Sequence, residues 1–298
     1  MHNILGDKKT IAILLAPALL LYTLIKVVPI AWSLGLTFFD GNVLRGIHPV
    51  GLKNFSRLLH DDVFWQSVGF TLKYAAVATV LQVVAGYALA LLYVFALKRS
   101  SLIVRTVCFF PVILPTVAVS LLFKQIFAIH PEPGPVNAII EFFGGTSVDW
   151  FAGGESTFWV LITMDVWRSM GFFAVLLFAG LVDIPDELIE SARLDGATGL
   201  RLIRHIVVPL SLPVLLSAVV FAINSTIKVF DAVVALTNGG PGFETTPLTL
   251  YMFRTTFTYN EYGYGSTLAL ALTCLAFLVT LAVFRWSRRD ITAPEAKA

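Results

Sequence analysis

The sequence predicts an all-helical protein that crosses a lipid bilayer about six times, and three observations predict it. Of its 298 residues, 57% are hydrophobic and 13% charged, against roughly 25% charged in a soluble domain, and the mean hydropathy is +0.82. The apolar residues fall in long unbroken runs rather than in short alternating segments. Lysine and arginine crowd one set of run ends and avoid the other. A bilayer offers backbone amides no hydrogen-bond partner, so only helices or closed barrels can span it. A barrel would alternate apolar and polar residues, so the long runs select helices.

A spanning helix needs roughly 20 mainly apolar residues, and such stretches occur at 10–35, 67–97, 102–127, 157–181, 206–236 and 263–286. The first follows Lys8 and Lys9 as a signal peptide would. It is too long for such an h-region and has no small-residue cleavage site, so it is expected to remain as a span. The third contains Pro111 and Pro115, which are expected to kink it and so to shape a cavity or gate. Cys108 and Cys274 lie within apolar runs and read as small core residues rather than a disulfide or metal pair.

An even number of spans puts both termini on one side. Lys8, Lys9, Lys98, Arg99, Arg105, Arg193, Arg201, Arg204, Arg285, Arg288, Arg289 and Lys297 share one set of ends, while Arg45, Lys53, Arg57 and Arg254 share the other. Cytoplasmic loops are enriched in basic residues, so both termini are expected in the cytoplasm. The outer loops then cover about 37–66, 128–156 and 237–262; the middle one holds Glu132, Glu141, Asp149 and Glu155 with no lysine or arginine. Within the first outer loop, VGLKNFSRLLHDDVFW suits a short helix on the membrane face. Lys73 and Lys124 lie near outer span ends, where long side chains reach the headgroups, and Trp65 and Trp286 suit the interfacial belts. No internal repeat stands out, so residues 1–298 read as one domain. A net charge of +2 gives no indication of a nucleic-acid partner.

The inner loop at about 182–205 is polar yet patterned. Pro185 followed by Asp186 and Glu187 suits a helix start, because proline is tolerated in the first turn and acidic groups favour the positive end of the dipole. Leu188, Ile189, Ala192 and Leu194 offer an apolar face, and Gly196 ends or bends the helix. A second short helix is expected over 200–203, with Pro209 and Pro213 at the entry to the next span. Asp186, Glu187, Glu190 and Asp195 suit a protein partner better than anionic headgroups, so the helix pair reads as a docking knob.

Glu190, Ala192, Asp195, Gly196 and Ala197, followed by Ile206 and Pro209, closely match the pattern E-A-A-x-x-D-G-A then I-x-x-P, with Ser191 replacing the first alanine. The chain here resembles the permease subunits of binding-protein-dependent ATP-binding-cassette (ABC) importers, whose cytoplasmic EAA loop carries this signature. Leu236, Thr237, Gly239, Gly240, Pro241, Thr246, Leu250 and Tyr251 resemble the LT-x-GGP stretch of the carbohydrate importers, in their MalF-like half. Gly51 to Phe55 (GLKNF), and Trp167, Gly171 and Phe172, match family positions too.

The resemblance implies a type I importer permease fold in a bacterial or archaeal plasma membrane. It also implies that Glu190, Ser191, Ala192, Asp195, Gly196 and Ala197 dock an ATPase. The implied partners are a second, MalG-like permease subunit, two copies of an ATP-binding subunit and an extracytoplasmic solute-binding protein. The solute is expected to be a sugar or related small molecule, moved by alternating access.

Ionisable side chains at membrane depth are costly, about 2.5–3.5 kcal/mol on insertion scales, and usually face a partner or a cavity. Asp165 with Arg168, and Lys228 with Asp231, are spaced to meet on one helix face. Each pair either lets a structural helix insert or flanks a solute cavity. The resemblance places pocket-facing positions near Asp165, Arg168, Ser169 and Phe172 on the fourth span and near Ala222, Thr226 and Val229 on the fifth. Asn224, Ser225 and Thr226 add polar groups, and Phe172 offers a ring for stacking.

No phosphate-cradling G-x-x-x-x-G-K-[ST] string, metal cluster or G-x-S-x-G elbow occurs. The subunit is expected to be non-enzymatic and to bind no cofactor, leaving ATP and magnesium to the partner ATPase. An ion-coupled secondary transporter is the leading alternative, with Asp165 and Asp231 as its midplane charges, but it would typically show repeated halves. An intramembrane enzyme would need a catalytic constellation, and none is visible. A receptor or scaffold would dock a partner without transport.

Overall fold

The computed structural model describes residues 8–42, 46–97 and 100–291. Arg45, Lys98, Arg99 and Lys297 lie outside the described residues, as do the side chains of Lys8, Lys9, Trp286, Arg288 and Arg289. Five helical runs are long and apolar enough to cross a membrane: Ile11–Leu36, Asp62–Leu97, Gly154–Val182, Gly199–Thr226 and Tyr262–Arg285. A sixth crossing is available if the bent pair Ser101–Ile113 and Thr116–Ile126 counts as one span. These agree with the six apolar stretches, with two differences of physical interest.

The third stretch is broken rather than kinked. Its halves, α5 (Ser101–Ile113) and α6 (Thr116–Ile126), meet at 97°. Pro115 disfavours helical geometry in the residue before it, and Leu114 is extended at φ −69°, ψ 140°. Pro111 is accommodated inside α5. The fifth stretch does not run unbroken to Leu236. Helix α11 (Val208–Thr226) stops, Phe230 takes φ −145°, ψ −66°, and a separate short helix α12 (Asp231–Leu236) follows.

The described residues form two compact groups. The first draws on Met1–Asp62 and Tyr251–Thr273. It begins with α1 (Lys8–Tyr22), a π-helical turn at Thr23–Val27 and α2 (Val28–Leu36), none of whose assessed residues is buried. A small antiparallel hairpin, β1 (Phe39–Asn42) on β2 (Gly46–Pro49), departs from the all-helical expectation. The short helix expected in this loop is α3 (Lys53–Leu59). Its buried Asn54 donates from Nδ2 to the carbonyls of Thr37 at 2.9 Å and Phe39 at 2.8 Å, tying the hairpin down. Arg57 pairs with Glu261 at 2.6 Å, and the hydroxyls of Tyr251 and Tyr264 both donate to Asp61. Burial and the Asp61 carboxylate raise the Tyr251 phenol above its ordinary pKa.

The second group draws on Val63–Leu250 and Cys274–Ala298. Helix α8 (Gly154–Val182) is its axis, with half of its apolar window buried. Against it pack α4 (Asp62–Leu91) and α11, and also α5, whose approach is so close that a Cβ on Gly171 would lie 2.0 Å from the Cys108 carbonyl oxygen. One core cluster gathers Tyr74, Phe158, Leu161, Met164, Val233 and Leu236. A second gathers Phe173, Leu177, Leu181, Val207 and Ala222. Both cysteines are free, but Cys274 is exposed on α14 (Tyr262–Ile291), not a core residue as expected. An apolar neighbour such as lipid accommodates a thiol as readily as a core does.

Candidate functional site

A cavity of about 190 Å³ opens among the helices of the second group. Gln82 of α4, Thr116 of α6, and Asp165, Arg168 and Ser169 of α8 form one side; Ser225 and the stretch Lys228–Ala232 form the other. The Asp165 carboxylate, 7% exposed, accepts from the Tyr74 hydroxyl and from Gln82 Nε2, each at 2.8 Å on Oδ2. Its Oδ1 faces Arg168 Nη2 at 3.5 Å, so the expected i,i+3 pair forms. Ser169 donates to the Asp165 carbonyl. Two atoms in this cluster have no hydrogen-bond partner among the described residues: Gln82 Oε1 and Arg168 Nε.

Lys228 and Asp231 behave differently from the expected helical pair. The helix unwinds between them, and no ion pair joins them among the described residues. Lys228 instead lies just past the C-terminal end of α11 and Asp231 in the first turn of α12, where each charge is favourably placed against the partial charge of the helix end. Backbone freed at membrane depth needs a partner. The Thr249 hydroxyl supplies one to the Val229 carbonyl at 2.5 Å, and the Val229 amide bonds the Thr226 carbonyl at 3.1 Å.

Of the positions expected along the solute path, Asp165, Arg168, Ser169, Lys228, Val229 and Asp231 line this cavity. Phe172, Asn224 and Thr226 do not. Phe172 packs its ring against Phe221, 5.1 Å between centroids. Asn224 bonds the Val220 carbonyl and lines a separate apolar groove with Phe221 and Phe284. Thr226 is buried, sharing a 3.2 Å hydrogen bond with Thr79 of α4. The 3.6-residue period turns Asn224 and Thr226 away from the face of α11 that Ser225 presents, whereas Phe172 shares the α8 face of Asp165 and Ser169 but lies a turn beyond the cavity, against α11. Sequence reasoning missed Tyr74, Gln82 and Thr249. A glutamine inside the apolar run ATVLQVVAG was the available signal, since buried amides need partners.

The inner loop forms the expected helix pair. Helix α9 (Asp186–Leu194) starts after Pro185 with Asp186 and Glu187 in its first turn. It stops at Gly196, φ +85°, where the amides of Gly196 and Ala197 bond the carbonyls of Arg193 and Ala192 in a Schellman pattern. Helix α10 (Gly199–Leu202) follows, then a π-helical turn at Ile203–Val207 that runs into α11. The apolar face is divided. Ile189 and Ala192 are buried in the second core cluster, whereas Leu194 and Leu200 are 89% and 83% exposed. Glu190, Ser191, Asp195 and Gly196 are exposed and Ala197 half-buried.

The LTNGGPGFETTP segment is a tight turn knit by threonines: Thr237 and Thr245 share a hydrogen bond, and Thr246 donates to the Gly239 carbonyl at 2.9 Å. Lys73 of α4 has a partner in the first turn of α8. It pairs with Glu155 at 2.6 Å and lies over the Phe158 ring.

The family model for the binding-protein-dependent transport system inner membrane component matches residues 82–291. The sulfoquinovosyl glycerol transport system permease protein SmoG of Agrobacterium fabrum is 31% identical over 288 residues, covering 94% of this chain and 91% of its own. The trehalose/maltose transport system permease protein MalF of Thermococcus litoralis is 30% identical over 239 residues, 80% of each. A bacterial alginate ABC transporter, solved with an alginate pentasaccharide-bound periplasmic protein, has a chain that superposes with a TM-score of 0.83 at 20% identity over 98% of both chains.

Proposed function

The chain belongs to the family of binding-protein-dependent transport system inner membrane components, and from that premise we propose that it forms half of a solute pathway driven from its 182–205 loop. It is a membrane-spanning, non-catalytic permease subunit of an ABC importer, and hydrolysis belongs to a separate subunit. The ion-coupled alternative is left without support.

In the proposed assembly this chain pairs with a second, MalG-like permease subunit. Two copies of an ATPase, holding ATP and magnesium, dock on the paired loops. An extracytoplasmic solute-binding protein delivers a sugar or related solute to the outer loops at about 37–66, 128–156 and 237–262, and both termini lie in the cytoplasm. Residues 1–298 act as one permease domain. A cavity of about 190 Å³ is below the roughly 300 Å³ usual for a small-molecule site, which suits a pathway completed by a second subunit. The relatives' names supply the solute class, since they include a sulfoquinovosyl glycerol and a trehalose/maltose permease.

One observation carries the coupling role. Ile189 and Ala192 of α9 sit in the same core cluster as Leu177 and Leu181 of α8 and Ala218 and Ala222 of α11. A push on α9 therefore reaches both helices that wall the cavity, while Glu190, Leu194 and Leu200 stay exposed for a partner. Glu190→Lys is expected to weaken copurification of the ATPase from detergent several-fold while leaving the permease pair folded. Unchanged ATPase assembly would count against the docking assignment.

A further inference from the structure

We propose that the exposed face of α7 (Pro135–Phe142) is a membrane-interface anchor, seated at the boundary between lipid headgroups and acyl chains, where it holds the 128–156 loop. This goes beyond the permease reading and needs only the chain's place in a membrane.

The inference starts from a helix whose polarity is inside out. With eight residues, α7 is too short to cross a bilayer. Its one buried residue is polar: Asn137 Nδ2 donates to the carbonyls of Ala128 at 2.9 Å and Val148 at 3.0 Å. Asn137 Oδ1 accepts from the Val148 amide at 3.0 Å and from Trp150 Nε1 at 3.1 Å. On the opposite side, Pro135, Ala138, Ile139 and Phe142 follow the i, i+3, i+4, i+7 spacing of a single helix face, and all four are exposed. Phe142 and its neighbour Phe143 are 84% and 81% exposed. In a water-soluble fold such a face turns to the core, whereas here four hydrogen bonds turn it away. The exposure does not come from fraying. Gly144, at φ +83°, and Gly145 bond the carbonyls of Glu141 and Ile140 and so close the helix end.

Three features favour lipid as the occupant. The first is level. Helix α7 starts against the last turn of α6, where a Cβ on Gly134 would lie 2.3 Å from the Gln125 carbonyl oxygen. Helix α6 is itself half of the broken apolar pair and exposes Leu121 and Leu122, so α7 sits where membrane-depth apolar surface ends. The second is the aromatic setting. Trp150, which donates to Asn137, packs edge-to-face with Phe127 at 5.4 Å, and such rings gather at membrane–water boundaries. The third is chemistry. The four residues of the face carry no side-chain donor or acceptor, whereas a protein interface makes about one hydrogen bond per 100–200 Å². The exposed carboxylates of Glu132, Glu141 and Asp149 lie elsewhere in the loop, where water can meet them. An interfacial helix buries its apolar face roughly 5–10 Å into the boundary. Since α6 also contributes Thr116 to the cavity wall, the anchor steadies the far end of a helix that lines the cavity.

The test places a nitroxide on Ile139→Cys, Phe142→Cys or Glu141→Cys, with Cys108 and Cys274 replaced by alanine, in the purified permease complex in lipid nanodiscs. Power-saturation EPR compares access by oxygen, which concentrates in lipid, with access by a water-soluble nickel chelate. Oxygen is expected to be favoured at 139 and 142 and the nickel chelate at 141, a reversal of sign around one helix that a disordered loop would not give. Phe143→Asp is expected to move the label at 139 toward water without loss of the ATPase. In the chain with its native side chains, a diazirine carried on a lipid is expected to mark residues 135–143. Preference for the nickel chelate at 139 and 142, or no lipid-borne labelling of that segment, would overturn the proposal. So would exclusion of both reagents at 139 and 142. If constant, it would assign the face to the second permease subunit; if seen only after addition of the solute-binding protein, it would make the face that protein's dock.

Discussion

The knob around α9 and the cluster around Asp165 are both polar islands in an apolar chain, and they treat their charges in opposite ways. Helix α9 turns Asp186, Glu187, Glu190 and Asp195 outward and buries only Ile189 and Ala192. The cavity cluster turns Asp165 inward and meets it with three donors from two helices. Where water can reach, charge is solvated and the fold is held by a few apolar anchors. At membrane depth the charge of Asp165 is answered by other side chains, and two atoms of that cluster left unanswered, Gln82 Oε1 and Arg168 Nε, belong to residues that line the cavity.

The contrast can be broken most severely on the buried side. Asp165→Ala would leave Tyr74, Gln82 and Arg168 without their shared acceptor, and loss of one partner of a buried charge pair typically costs about 3–5 kcal/mol. A large fall in the thermal midpoint of the purified complex is expected; a shift no greater than that of a surface substitution would mean the cluster is not structural. Gly196→Ala is a smaller step. Its positive φ of 85° suits glycine, and a β-carbon there costs on the order of 1–2 kcal/mol. Since α9 lies on one edge of the core, modest destabilisation together with reduced ATPase coupling is expected in reconstituted vesicles. The smallest effect on stability should come from Leu194→Ala. At 89% exposure it should change stability by less than about 0.5 kcal/mol, yet weaken ATPase copurification if the exposed leucines form the docking surface. A Leu194 variant that melts early but couples normally would reverse the comparison.

The same contrast governs what the sequence makes legible. Helix α9 was readable because its signals are local: proline and acids at the start, a glycine at the stop, and apolar residues between. The spans were readable because hydropathy is also local. The Asp165–Arg168 pair, three residues apart, was legible for that reason, but Tyr74 and Gln82 lie more than 80 residues away from Asp165, and no local pattern announces such a meeting. The Lys228–Asp231 expectation failed because spacing alone assumed a continuous helix. The break at Phe230 is held by Thr249, again from a distant segment. Pro115 was seen, but whether a proline bends or breaks a helix depends on the packing on either side of it.

The run Ile11–Leu36 stands apart from every other candidate span. The other four continuous runs bury between 11% and 50% of their apolar windows inside the protein, and this one buries none. The stability of this chain's own fold therefore constrains only its length and its dislike of water, not the identity of its side chains. Exchanges among leucine, isoleucine, valine and phenylalanine there should be nearly neutral for that fold. Over evolutionary time such a helix is expected to drift in sequence while keeping its extent, recognisable among descendants by hydropathy long after its letters have ceased to align.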